Sequence, residues 1–81
     1  MSETAGYLGM VLRGIVSMPD SISIEETHDT MGVFLRVWVD QADMSLVIGR
    51  GGEHVSAIKL LTKLSGRKHG EHVNVKFEEP V

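Results

Sequence analysis

Leu8, Val11, Leu12 and Ile15 recur at the three- and four-residue spacing of a helix buried along one side, with Pro19 soon after, which predicts a first helix over about residues 5–17. Gly6, Gly9 and Gly14 interrupt it, each costing a helix interior up to ~1 kcal/mol relative to alanine. Close packing against a neighbouring element is the expected use of these glycines. The period then changes to two. Ile22 and Ile24 alternate with Ser21, Ser23 and Glu25, which predicts a half-buried strand over 20–27. "GVFLRVWVD" is β-branched and aromatic almost throughout, with Val33, Leu35, Val37 and Val39 on one face, and is expected to be the central strand, 32–40. A short helix over 42–48, a glycine turn at 49–52 and a longer helix over 53–65 follow, the last ending where Ser65 and Gly66 supply a C-terminal cap. "RKHGEH" reads as a polar loop, and Val73, Val75 and Phe77 alternate with Asn74 and Lys76 in a last strand over 71–78.

The predicted order is helix, strand, strand, helix, helix, strand. The first two strands form an antiparallel hairpin, and the third returns after a two-helix crossover to lie parallel to the central one. This is a two-layer α+β domain with a three-stranded mixed sheet and helices on one face. At 81 residues there is room for one core only, so residues 1–81 are expected to be a single domain. With 42% hydrophobic and 23% charged residues the composition is that of a folded globular chain.

Composition also narrows the chemistry. There is no cysteine, hence neither a disulfide framework nor a thiolate nucleophile or metal ligand. The start, "MSETAGYLGM", lacks the basic head of a signal peptide and no stretch approaches a membrane span, so the expectation is a soluble cytoplasmic protein with no membrane partner. His28, His54, His69 and His72 lack the carboxylate spacing of a metal site, and Ser45, Ser56 and Ser65 have no evident base. No enzyme, catalytic residue, metal, cofactor or small-molecule substrate is expected. The net charge of −3 is unevenly spread: residues 1–43 hold seven acids and two bases, residues 44–81 four acids and six bases. The basic part of the molecule is the part that carries the glycine turn.

That turn, "VIGRGG", admits two readings. It is either a tight helix–helix connection needing positive φ, or a phosphate site in which missing side chains let a sugar-phosphate backbone reach the start of the following helix. The residues exclude a P-loop, because Glu53 and His54 follow the last glycine where Lys and Ser or Thr are required. A dinucleotide fingerprint would need its glycines spread over six positions directly after a strand.

Between two helices, "VIGRGG" resembles the GxxG loop of the KH RNA-binding domain, with Gly49 and Gly52 as the motif glycines and Arg50 and Gly51 as the variable pair. The element order resembles the bacterial type II form. "IVSMPDSISIEE", "DMSLVIGRGGEHVSAIKLL" and "GEHVNVKFEE" together resemble the small single-KH proteins of the KhpA family over nearly the whole chain. The resemblance implies a loop that clamps the backbone of about four single-stranded nucleotides, in the manner of an RNA chaperone or post-transcriptional regulator. Carried over by position, Gly49, Arg50, Gly51 and Gly52 meet phosphate, and Val47, Ile48, Val55 and Ile58 supply groove surface. Lys59 stands at a commonly basic position, and Arg67 and Lys68 lie in the loop on the far side of the groove. Val55, Ile58 and Leu61 also read as ordinary core of an amphipathic helix. Ser45, Leu46 and Glu53 stand where relatives often have glycine or a base, which implies modest, salt-dependent affinity.

Phe34 and Trp38 fall on the sheet face that the helices leave open. Either the chain's own termini cover them, or they mark a protein interface with a second copy or another KH protein. The alternative function is therefore an interaction module that keeps the fold with weak or no RNA binding.

Overall fold

The computed structural model describes residues 2–79. The six elements are α1 (Glu3–Arg13), β1 (Ser23–Asp29), β2 (Gly32–Trp38), α2 (Met44–Ile48), α3 (Glu53–Lys68) and β3 (Val73–Phe77). The sheet runs β1-β2-β3, with β1 antiparallel to β2 (Ile24 opposite Val37) and β2 parallel to β3 (Leu35 opposite Val75). All three helices cover one face, where Leu35 and Val37 of β2 are fully buried against Leu8 and Leu12 of α1, Val47 of α2 and Ile58 of α3. The two-layer mixed α+β architecture is the one expected. No helix among the described residues is long and apolar enough to cross a membrane.

Several element ends differ from expectation, each for a local reason. Helix α1 begins at Glu3 because Ser2 caps it, the hydroxyl accepting the Ala5 N–H at 3.1 Å. It stops at Arg13, where the chain turns at Gly14, so Ile15 is 39% exposed and Val16 enters the core in its place. Of the α1 glycines only Gly9 sits against a neighbouring element, beside Ile24; Gly6 has open space around it. Pro19–Ser21 form a single 3-10 turn, which delays β1 to Ser23.

Gly66 does not end α3. It lies buried in the helix, where a Cβ would sit 2.5 Å from Cγ2 of Val73 and 3.0 Å from the Glu71 carbonyl oxygen, so it sets how closely α3 crosses β3. The helix continues to Lys68 and the chain reverses at Gly70 (φ 70°). Two polar contacts tie the layers together. The buried Thr4 hydroxyl donates to the Glu71 carboxylate at 2.8 Å. The buried Asp43 carboxylate, just before α2, accepts the Ser17 N–H (2.9 Å), the Ser17 hydroxyl (2.8 Å) and the Met18 N–H (3.1 Å) from the segment between α1 and β1.

Candidate nucleic-acid interface

Helix α2 is only five residues long and ends at Gly49, whose φ of 75° and ψ of 171° belong to backbone that essentially only glycine adopts. Arg50–Gly52 make one 3-10 turn, with Gly51 (φ 63°) and Gly52 (φ 78°) left-handed, and α3 starts directly at Glu53. No side chain caps that start. Around Gly51 a Cβ would meet nothing within 4 Å, and Arg50 is exposed. The loop therefore presents backbone to solvent at the positive end of a 16-residue helix, with one guanidinium beside it.

The loop is held from behind by His54, whose Nδ1 donates to the Leu46 carbonyl oxygen at 2.7 Å. Its ring fills the space beside Gly49, where a Cβ would come within 2.5 Å of Cγ. Sequence reasoning considered His54 only for metal binding and the P-loop pattern. No local signal in the sequence marks this role, because its partner Leu46 lies eight residues away across the glycine turn.

Of the residues expected along the groove, Ile48 is 37% exposed beside the loop, and Val55 and Lys59 are half-buried on α3. Val47 is a correction. It is fully buried, because a five-residue helix has one inward position and Val47 takes it, so it belongs to the core with Ile58. Arg67 and Lys68 are a second correction: they form the last turn of α3 rather than a loop, roughly 21 Å along the axis from Glu53 at 1.5 Å per residue.

Leu61, read as core, is 44% exposed. Together with Val11, Ile15, Leu46, His54, Ala57 and Ile58 it lines an apolar cleft of about 360 Å³ between α1 and α3, beside the loop. A wider hollow continues along the same helix pair past Tyr7, Met10 and Leu64. The sequence trace of this cleft is a second apolar stripe on α3, Ala57, Leu61 and Leu64, alongside the buried Ile58, Thr62 and Gly66.

On the open sheet face Phe34 and Trp38 are half-buried, and Arg36 lies between them with its guanidinium carbon 5.0 Å from the Trp38 ring centroid. Arg36 Nε donates to Glu78 at 3.1 Å and Nη1 to Glu25 at 3.2 Å, and the Glu78 bond foremost holds the guanidinium pKa above its ordinary value. Glu78, immediately after β3, thus pairs with the arginine between the two aromatics; residues 80 and 81, on which cover by the C-terminus would also rest, lie outside the described residues. Of the other three histidines, His28 engages Glu26, His69 engages both Glu3 and the Ser65 carbonyl, and His72 stands beside Lys63 and Arg67.

A family model described as the KH domain of KhpA/KhpB matches residues 7–77. The RNA-binding protein KhpA of Mycobacterium leprae is 38% identical over 58 residues, covering 70% of this chain and 72% of that protein. The RNA-binding protein KhpA of Caldanaerobacter subterraneus subsp. tengcongensis is 29% identical over 67 residues, covering 83% of this chain and 89% of that protein. The protein of the same name from Clostridium acetobutylicum is 27% identical over 70 residues, covering 86% and 93%.

Proposed function

The chain belongs to the KhpA/KhpB KH-domain family, and from that premise we propose that it binds single-stranded RNA through the Gly49–Gly52 loop, without catalysis, as an RNA chaperone or post-transcriptional regulator. The bare loop is the observation that carries this reading. Three positive-φ glycines in four residues leave the loop backbone bare of side chains just before α3; the Gly52 and Glu53 N–H groups bond back to the Gly49 and Arg50 carbonyls and hold the turn, and Arg50 adds attraction where a helix start without a side-chain cap already favours an anion. Ile48 and Val55 then supply apolar surface for bases and Lys59 a further positive charge. Relatives named as RNA-binding proteins support the same reading. Glu53, a carboxylate in the first turn of α3, opposes it and keeps affinity modest and dependent on salt.

The test is fluorescence anisotropy of labelled single-stranded RNA at low and near-physiological salt, comparing wild type with Arg50→Asp/Gly51→Asp. Gly51 has room for the added side chain, and a left-handed position tolerates Asp, so the variant keeps its circular dichroism. Loss of binding in the folded variant is expected; equal binding by both proteins overturns the assignment to this loop.

A second reading, an interaction module for a second copy or another KH protein, is favoured by the α1–α3 cleft, where Met10 is 57% and Leu64 48% exposed. Phe34 and Trp38 are its alternative surface. Sedimentation of Leu61→Glu and Trp38→Glu against wild type separates the two faces, and a wild type that sediments as a monomer removes the homodimer version.

A further inference from the structure

Strand β1 is an open edge of the sheet. In β2 the Val33 N–H donates to the His72 carbonyl and the Val37 carbonyl accepts the Glu78 N–H, both at 2.8 Å, so the backbone groups of Val33, Leu35 and Val37 face β3. Those of Gly32, Phe34, Arg36 and Trp38 therefore face β1, where they meet Asp29, Thr27, Glu25 and Ser23. Ile24, Glu26 and His28 are left with their N–H and C=O groups turned outward, and no backbone group among the described residues bonds to them. The Ser2 N–H, which approaches this edge, donates at 2.8 Å to the Glu26 carboxylate and leaves the backbone free.

The two faces beside the edge differ in chemistry. On the helix side, Ile24 borders a cleft of about 180 Å³ whose walls include Ala5, Gly6 and Gly9 of α1 and Pro19 and Ile22. A Cβ on Gly9 would stand 3.7 Å from Cδ1 of Ile24, so the glycine that weakens the helix keeps this cleft open. On the open sheet face the edge presents Glu25, Thr27 and Asp29. The strand as a whole carries three carboxylates and neither lysine nor arginine. Two copies paired edge to edge would set these carboxylates against one another, which like charges disfavour. An extended segment of opposite charge meets no such penalty.

We propose that the β1 edge is a docking site for an extended, basic segment of a partner protein, which adds to the sheet as a fourth strand. Its lysine or arginine side chains lie on the open face beside Glu25 and Asp29, and an apolar side chain enters the cleft against Gly9 and Ile24. Backbone hydrogen bonds to Ile24, Glu26 and His28 supply affinity, while the cleft and the carboxylates select the sequence. The site does not use the Gly49–Gly52 loop and stands whether or not that loop binds RNA.

The experiment titrates the protein with two labelled seven-residue peptides, one alternating Lys and Val and one alternating Glu and Val, and follows amide hydrogen exchange by NMR. Wild type is expected to bind the lysine peptide about tenfold more tightly than the glutamate one, the effect of two exposed ion pairs of ordinary strength. At about ten times the Kd of the lysine peptide, exchange at Ile24, Glu26 and His28 slows about tenfold. Gly9→Leu, whose side chain fills the cleft and displaces only the flexible end of Arg13, weakens the lysine peptide about tenfold. Glu25→Gln/Asp29→Asn keeps the hydrogen-bond acceptors and brings the ratio between the two peptides toward one; this variant decides the matter if Gly9→Leu does not fold. Equal or absent binding of the two peptides by wild type, or binding that leaves the three amides unprotected, overturns the proposal. Protection of those amides without peptide, in a protein that sediments as a dimer, makes a second copy the occupant and overturns the basic partner.

Discussion

A Cβ placed on Gly49 would lie 2.5 Å from Cγ of His54, the ring that also bonds the Leu46 carbonyl at 2.7 Å. The first loop glycine is therefore required twice, by its backbone angles and by its neighbour, whereas Gly51 is required by its backbone angles alone. Gly49→Ala is expected to cost about 2–4 kcal/mol in urea unfolding, and Gly51→Ala about 1 kcal/mol. His54→Ala in the Gly49→Ala background recovers part of the larger loss, and strict additivity in that double-mutant cycle contradicts the clash.

The same histidine makes a prediction that side-chain volume alone does not. Asparagine can place an N–H donor near the position of Nδ1, so His54→Asn is expected to keep the Leu46 contact and His54→Ala to release it. Hydrogen exchange at Gly49–Gly52 accelerates in the alanine variant and stays near wild type in the asparagine one. Equal acceleration in both removes the hydrogen bond from the account of the loop's rigidity.

Gly66 sets helix propensity against packing. Alanine is the better helix former by up to about 1 kcal/mol, yet its methyl group would meet Val73 at 2.5 Å and the Glu71 backbone at 3.0 Å. Packing prevails, because the Glu71 contact is to backbone and cannot rotate away. Gly66→Ala is expected to destabilise by about 1–3 kcal/mol, and an unfolding midpoint above wild type contradicts the close crossing of α3 and β3.

Acid sensitivity centres on Glu26, which a hydrogen bond from His28 and then the Ser2 N–H lower from 4.5 to about 2. A carboxylate whose folded pKa is depressed contributes stability that is present above pH 4.5 and is lost as pH falls from there toward 2. Asp43 acts in the same direction, its pKa lowered chiefly by the Ser17 N–H. Glu26→Gln is expected to flatten the dependence of Tm on pH in that window, measured by thermal unfolding in a buffer series. A slope identical to wild type shows that the N-terminal contact does not persist in solution.

Asp43 also joins the segment before β1 to the start of α2, and three donors converge on its two oxygens. Asp43→Ala leaves two backbone N–H groups and a hydroxyl without their acceptor, so Tm is expected to drop by roughly 5–10 °C. A change within about 1 °C would mean that water replaces the carboxylate at no cost.

Local patterns in the sequence determined the element types, the sheet topology and the glycine loop. Alternation over Gly32–Trp38 specifies a strand buried on one face, a two-helix crossover specifies a parallel return, and three glycines in four residues specify a backbone that other side chains would strain. These are contacts and conformations decided within a few residues, which is why they were legible. Tertiary structure alone decided which face of each helix is inside and where an element stops. Val47 went to the core and Leu46 to the cleft because the five-residue α2 meets the sheet on one side only. Gly66 reads as a helix terminator in sequence, but the approach of Val73 makes it an interior contact and carries Arg67 and Lys68 to the far end of α3. His54 carries no local sign of its partner, since its hydrogen bond to Leu46 exists only once the intervening glycines have turned the chain back on itself.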